Sequence, residues 1–437
     1  MYRTDLTQLI DDSGDEMYAL IEELYPICRS ITGNGVRETL KIIKKHLSVE
    51  IHEIASGTKA FDWEVPLEWN IRGGTIKNLQ GNTLIDFKEN NLHVLNYSSP
   101  IKARVTNEEL KKHLFSIPEH PDWVPYRTSY YEEKWGFCVS HNQLQTLNDA
   151  EYYVEIDSDL SNGSLTYGEF YKQGRLDKEI LISCHICHPS LCNDNLSGIA
   201  LSTFLAKKLM CVETRFSYRF LFIPGTIGSI VWLSQNEQKV KNIEHGLVVV
   251  CVGDDGEFTY KKSRNGNREI DRTVLNTLKR TETSYKVIDF YPYGYDERQY
   301  CSPAFDLSVG SLSKTTHGEY PEYHTSADNL DFVKPTNLSQ SLEKYLLILD
   351  ALENNYTYNN LNPKCEVQLG KRGLYGTIGA ESKKPLKTMV ILWVLNFSDG
   401  TNSLLDISER SNIPFDEVKR AAEVLTDSGL LERVGHE

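Results

Sequence analysis

The chain has 437 residues, 40% of them hydrophobic and 25% charged, with a net charge of −14. That length supports two or three domains of ordinary globular composition. The acidic balance disfavours a protein that coats nucleic acid, and no stretch approaches the roughly eighteen apolar residues of a membrane span. The opening MYRTDLTQLIDDSGDEMY lacks the basic-then-apolar plan of a signal peptide, so the nine scattered cysteines read as reduced thiols of a cytoplasmic protein.

In chain order, residues 15–47 read as two helices separated by the turn Thr32-Gly33-Asn34-Gly35. Arg29 and Arg37 flank that turn. Both suit surface charge, with the alternative that one borders a site. From about residue 52 the texture changes. Trp63, Trp69, Trp123 and Trp135 accompany short segments, Thr83–Phe87, Leu92–Asn96 and Arg104–Val105, bounded by turn residues, as in a small β-rich unit. The aromatic patch PYRTSYYEEKWGF (125–137) reads as core. Tyr152–Ile156 and Leu165–Tyr171 read as a strand pair returning to a main sheet.

From residue 179 strands and helices alternate. The strand Glu179–Ser183 precedes the helix Leu196–Met210. The strand Tyr218–Ile223 ends in Pro224-Gly225-Thr226, and a helix starts near Gly228. The run Gly246–Val252 suits a strand covered on both faces. A helix Ile270–Lys279, a strand Phe305–Val309, a polar loop 313–329 and a helix Leu338–Leu352 follow. This rhythm predicts a largely parallel sheet between helices. Residues 356–386 read as a linker rich in Asn and Gly, including Gly376 and Gly379. Residues 387–437 read as helix, turn, helix and strand, a winged helix with Asp416 as N-cap and Gly429 as the stop.

The stretch ILISCHICHPSLCNDNLSGIA (180–200) concentrates the chemistry. Cys184-His185-Ile186-Cys187-His188 matches a haem-attachment spacing, but it lies at a strand end and no axial Met is evident. With Cys192 it makes three thiols without a fourth ligand of matching spacing. Oxygen and nitrogen ligands fit better. His185 or His188, Asp194, Asp254 or Asp255, and His324 all lie in loops that follow strands. In a doubly wound sheet such loops converge at one edge. Histidines and carboxylates with open coordination positions suit hydrolytic zinc.

HPSLCNDNLSG and EYHTSADNLDFV are similar to the ligand segments of leucyl aminopeptidase-type zinc exopeptidases. The whole chain resembles a family of polysaccharide-biosynthesis proteins with an aminopeptidase-like domain. The matching segments are LYPICRSITGNGVRETL, FDWEVPLEWNI, LHVLNYSSP, PYRTSYYEEKWGFC, ISCHICHPSLCNDNLSG, DERQYCSP and EYHTSADN. The resemblance implies an α/β fold, a zinc-exopeptidase-like α/β/α sandwich (1–51 and 151–355). It also implies an inserted β-rich domain (52–150) and a C-terminal winged-helix domain. It marks His185, Asp194, Asp254 and His324 as metal ligands, with His188 the rival of His185, around one or two zinc ions. It implies a peptide or amide-bearing small substrate, met by Asp296, Glu297 and Arg298.

The resemblance also leads one to expect a glutamate pair after Tyr218–Ile223, one as general base and one as ligand. Gly225 and Thr226 stand there instead. Loss of a general base costs about 10²–10⁴-fold in rate. Asp255, Glu322 and Tyr323 are candidate catalytic groups, with Asp296, Glu297 and Glu319 as further carboxylates. Tyr295 stands where a small residue is expected and narrows the pocket. The reading is therefore an aminopeptidase-like hydrolase of weakened activity, of a type that often assembles into homo-oligomers. Its alternative is an inactive ligand-binding or DNA-binding regulator. Residues 380–437 hold seven basic and ten acidic side chains, which disfavours DNA, as does a second helix offering only Lys419 and Arg420 as base-reading cations.

Overall fold

The apolar runs form the middle of an eight-stranded sheet in the computed structural model, which describes residues 4–374 and 388–435. In spatial order the strands are Glu50–Ala55, Ser164–Lys172, Ser217–Ile223, Glu179–His185, Ile243–Val249, Val309–Ser313, Thr259–Lys261 and Lys286–Ile288. The four from Ser217–Ile223 to Val309–Ser313 run parallel. Successive side chains alternate between two cores, as the period of a strand requires. Ile180, Ile182 and Phe220 join Leu201, Leu205, Leu342 and Leu349 on one face. Leu181, Leu221 and Val248 meet Val231 and Trp232 of the helix Ile227–Gln235 on the other. The result is the expected three-layered α/β architecture.

The β-rich insertion is a four-stranded antiparallel sheet in the order Thr83–Asp86, Glu68–Lys77, Glu151–Ser161, Ile101–Thr106. Two expectations are corrected here. The segment around Tyr152–Ile156 is a strand of this insertion, not the partner of Ser164–Lys172. Its register along Glu68–Lys77 buries Tyr152, Val154 and Ile156 in the insertion's own core. Leu92–Asn96 is also not a strand, since Asn91–His93 forms a short 3-10 turn capped by the Asn90 side chain. In the main sheet, the strand expected at Phe305–Val309 begins only at Val309.

The C-terminal helices Thr388–Phe397, Leu404–Ser411 and Phe415–Asp427 pack with a three-stranded sheet, Asp399–Ser403, Thr357–Asn360 and Leu431–Arg433. Thr357–Asn360 is the middle strand, so this winged-helix domain takes in residues expected in the linker. Gly376 and Gly379 of that linker lie outside the described residues. Pro414, not Asp416, holds the N-cap, leaving Asp416 in the first turn.

The domain is fastened to the α/β unit by charge. Lys419 Nζ lies 2.9 Å from Asp350 Oδ2 on the helix Pro335–Asn354, in a largely buried pair. Arg272 of the helix Glu269–Thr281 reaches Asp406 and Glu409, and Asn276 Nδ2 donates to Ser408 Oγ at 3.1 Å. One of the two candidate base-reading cations is therefore committed to the protein's own interior. Truncating one partner of a buried pair strands the other charge. Lys419→Met is accordingly expected to lower the unfolding free energy of the full chain by about 3 kcal/mol, measured by urea denaturation. An unchanged midpoint would mean that the contact is screened by solvent.

Candidate metal centre

The ladder places the strand ends level with one another. His185 pairs with Ile223 and Ser183 with Val248. The segments that follow, 186–196, 224–226 and 250–256, therefore emerge side by side at the carboxyl edge of the sheet, where such folds place their ligands. The loop carrying Asp194 is held from every side. Asp328 accepts the backbone N–H of Asn193 at 2.6 Å and of Asp194 at 3.0 Å. Asn193 Nδ2 donates to Asp254 Oδ2 at 2.9 Å, and its Oδ1 accepts Gly253 N–H at 2.9 Å. Asn195 Nδ2 donates to Val249 O at 3.0 Å, while its Oδ1 accepts Gly198 N–H at 3.2 Å. A Cβ at Gly198 would lie 2.3 Å from that amide oxygen and 2.6 Å from Val249 O, so only glycine lets the helix start this close to the sheet.

These restraints aim the Asp194 carboxylate, 0% exposed, into a ring of histidines. Oδ1 lies 3.0 Å from His185 Nε2 and accepts Tyr295 Oη–H at 3.1 Å. Oδ2 lies 3.0 Å from His324 Nε2 and 3.9 Å from His188 Nε2. One ligand atom each from His185, His188 and Asp194 fall within 4.8 Å of one another, the group among the described residues with metal-binding spacing. The rivals His185 and His188 are thus neighbours in one cluster. Among the described residues neither ring nitrogen of buried His185 makes a hydrogen bond, although Nε2 lies 3.0 Å from Asp194 Oδ1. Unpartnered imidazole nitrogens beside a buried carboxylate fit a zinc ion by donor type.

The charges agree with this. Burial raises the Asp194 carboxyl, but the nearness of His188 and the contacts of His185 and His324 outweigh it and hold the group well below the usual range. Burial pushes His188 well below the ordinary imidazole value against the pull of Asp194, leaving it neutral and fit to ligate. Burial raises Asp328 to about 8 despite the Asn193 N–H bond, with Asp194 adding to the rise.

A model of a domain of unknown function, DUF4910, matches residues 18–355. The chain belongs to this family. A winged helix-turn-helix model matches residues 356–433. The chain is 54% identical over 423 residues, 97% of each chain, to a Clostridium acetobutylicum protein described as a candidate polysaccharide biosynthesis protein with an aminopeptidase-like domain. A crystal structure of a candidate peptidase from Clostridium acetobutylicum is 52% identical over 98% of both chains, with a TM-score of 0.93. A zinc aminopeptidase from Bacillus subtilis superposes on 78% of this chain and 95% of its own, with a TM-score of 0.57 at 13% identity. That likeness shows an aminopeptidase-like fold.

In this DUF4910 chain the expected ligand Asp254 is held elsewhere. Its oxygens accept Asn193 Nδ2–H, Gly256 N–H at 2.7 Å and Thr315 Oγ1–H at 2.6 Å, so the carboxylate ties loops together. Asp255 is exposed and accepts from Asn337 Nδ2 at 2.7 Å. Glu297 turns to Lys261 Nζ at 2.8 Å, and the Arg298 guanidinium lies over the Tyr293 ring. Asp296 does face the cluster. Ser229 Oγ donates to its Oδ1 at 2.8 Å, and its buried Oδ2 has no hydrogen-bond partner among the described residues. Burial raises Asp296 to about 6, restrained by the charge of His185 and the Ser229 bond.

Aromatic rings close the site. Tyr295 stacks on His185 with centroids 5.0 Å apart, and Tyr323 stacks on His324 at 3.9 Å. Tyr126, from the patch read as core, meets both His188 and His324 edge-on at 5.1 and 5.0 Å. Its N–H donates to His324 O at 2.7 Å, which helps hold His324 at φ 56°, a region rarely used by residues with side chains. Arg37 is the surface ion pair expected, with Glu53 and Glu68. Arg29 is instead fully buried and donates from Nε to His188 O at 2.7 Å. Residue type alone carries no signal for Tyr126, and for Arg29 it supports only the alternative that one of the two arginines borders a site.

Because Asp328 orients the loop of Asp194 without joining the His185, His188 and Asp194 cluster, Asp328→Asn is expected to weaken any zinc binding there by about 10–100-fold. Competition against a chromophoric chelator measures this. Unchanged affinity would mean that the other loop restraints suffice.

Proposed function

We propose that this protein is a zinc-dependent hydrolase of a peptide N-terminus or a related amide, such as one carried on a modified sugar. The observation that carries the reading is the buried His185, with two unpartnered ring nitrogens, set against Asp194, His188 and His324 at the carboxyl edge of the sheet. The names of the relatives support it: an aminopeptidase-like domain in one and a zinc aminopeptidase in another.

His185, His188, Asp194 and His324 would hold the ion. A zinc ion supplies carbonyl polarisation and a water acidified to near neutral pH. The protein's own groups do the rest. Asp328, Asn193 and Asn195 orient the Asp194 carboxylate. Tyr126, Tyr295 and Tyr323 wall the ligand rings against solvent, which strengthens electrostatics inside. The Tyr295 hydroxyl already occupies Asp194 Oδ1, which favours one ion over two. Gly225 offers no carboxylate, so turnover depends on another acid nearby. A DNA-binding role is the weaker reading, because Lys419 is drawn onto Asp350.

The test is elemental analysis of the purified chain and of His324→Ala, with leucyl p-nitroanilide as substrate. About one zinc per chain is expected, weakened by the substitution, together with hydrolysis that a chelator abolishes. A chain that takes up no zinc when zinc is supplied would overturn the reading.

A further inference from the structure

We propose that Asp296 is the proton acceptor of the hydrolytic step, standing in for the carboxylate absent at position 225; this rests on the hydrolase reading above. Gly225 lies against the site. A Cβ built there would stand 3.0 Å from His185 Cβ, 3.5 Å from His185 Cγ and 3.6 Å from Asp296 Oδ2. The same point in space thus touches a ligand histidine on one side and a carboxylate oxygen on the other. A side chain at position 225 would enter this gap, and without one the gap is faced by Asp296.

Asp296 is built for the task in three respects. It is 0% exposed. Ser229 fixes Oδ1 and so fixes the direction of Oδ2. Oδ2 is buried with its lone pairs unused by the protein, which is costly for a structural carboxylate and is characteristic of functional ones. Among the other described acids Glu297 is also buried with one oxygen unpartnered, but its charge is met by Lys261 and it lies against Gly294, whereas Asp296 is the carboxylate at the Gly225 gap. Asp254 is saturated by Asn193, Gly256 and Thr315, and Asp255 is exposed and bonded to Asn337. Glu297 and Glu319 are paired with Lys261 and Lys286. Glu322 is only half-buried.

In the step, the attacking water forms a bond to the amide carbon and yields one proton to Asp296 Oδ2. As the carbon–nitrogen bond breaks, that proton passes to the leaving amine, and the carboxylate is regenerated. No electrons are exchanged and no co-reactant is needed.

The test uses Asp296→Asn in the full chain. The substitution preserves size and an oxygen for Ser229 to donate to. Cobalt(II) replaces zinc, so that the visible spectrum reports on the centre independently of turnover. The expected result is unchanged cobalt stoichiometry, a displaced pH midpoint of the spectral change, and a loss of leucyl p-nitroanilide turnover of about 10²–10⁴-fold. Turnover equal to that of the unsubstituted chain would overturn the proposal. So would loss of cobalt binding, which would make Asp296 a support of the ligand set. If the unsubstituted chain binds metal but does not hydrolyse, the hydrolase reading fails. The proposal then falls with it, whereas a chain that hydrolyses equally well with and without Asp296 overturns the proposal alone.

Discussion

A carboxylate removed entirely from solvent is unfavourable unless its charge is met, and the α/β unit is arranged around one such group. Asp194 is met by His185, His188, His324 and Tyr295. None of these contacts would form if the backbone beneath Asp194 were free to turn. The loop is fixed by side chains that accept or donate at the main chain, Asp328 at two amides, Asn193 at Gly253 and Asn195 at Val249. Asp254 supports Asn193 in turn. The acidic residues of the late loops thus divide into one at the centre and others that hold its scaffold, a division set by hydrogen bonding and not by residue type.

The main architecture was legible because strand and helix periods are local. Ile180–Ile182, Phe220 and Leu247 are apolar without interruption since both faces are covered, and the helix after Gly198 repeats its leucines at four-residue spacing. His185, Asp194 and His324 were legible as a set because each follows a strand. Asp254 was named for the same reason. It follows a strand too, but sequence position does not show that three donors already surround its carboxylate. The strand around Tyr152 was misassigned because alternation reveals a half-buried strand without revealing which sheet it joins. Tyr126 and Arg29 were hidden more deeply. A tyrosine in an aromatic patch and an arginine beside a turn acquire their places at His188 and His324 only through distant packing.

The two additions to the α/β unit are integrated in different ways. The β-rich insertion reaches the centre directly, since the Tyr126 amide bonds the His324 carbonyl and Val124 N–H donates to Ser326 Oγ. The winged helix contacts the opposite end of the helix Pro335–Asn354, at Asp350. Its acidic residues Asp406 and Glu409 are drawn to Arg272, so part of its negative charge is used as fastening.

The contacts at His324 also bear on the order in which the chain can acquire its structure. The Asp194–His324 and Asp328–Asn193 bonds close sequence separations of 130 and 135 residues, and Tyr126 adds a third distant segment. Contacts of such separation bear the entropy of closing long loops before they return any energy. The strands and helices that assemble from near neighbours can therefore form while the histidine ring is still open, and the centre becomes complete only when insertion and sheet have docked. A cation that binds the finished ring and not its separated parts would draw the population toward the native state. The slowest region to organise would then be the one most strengthened by its ligand.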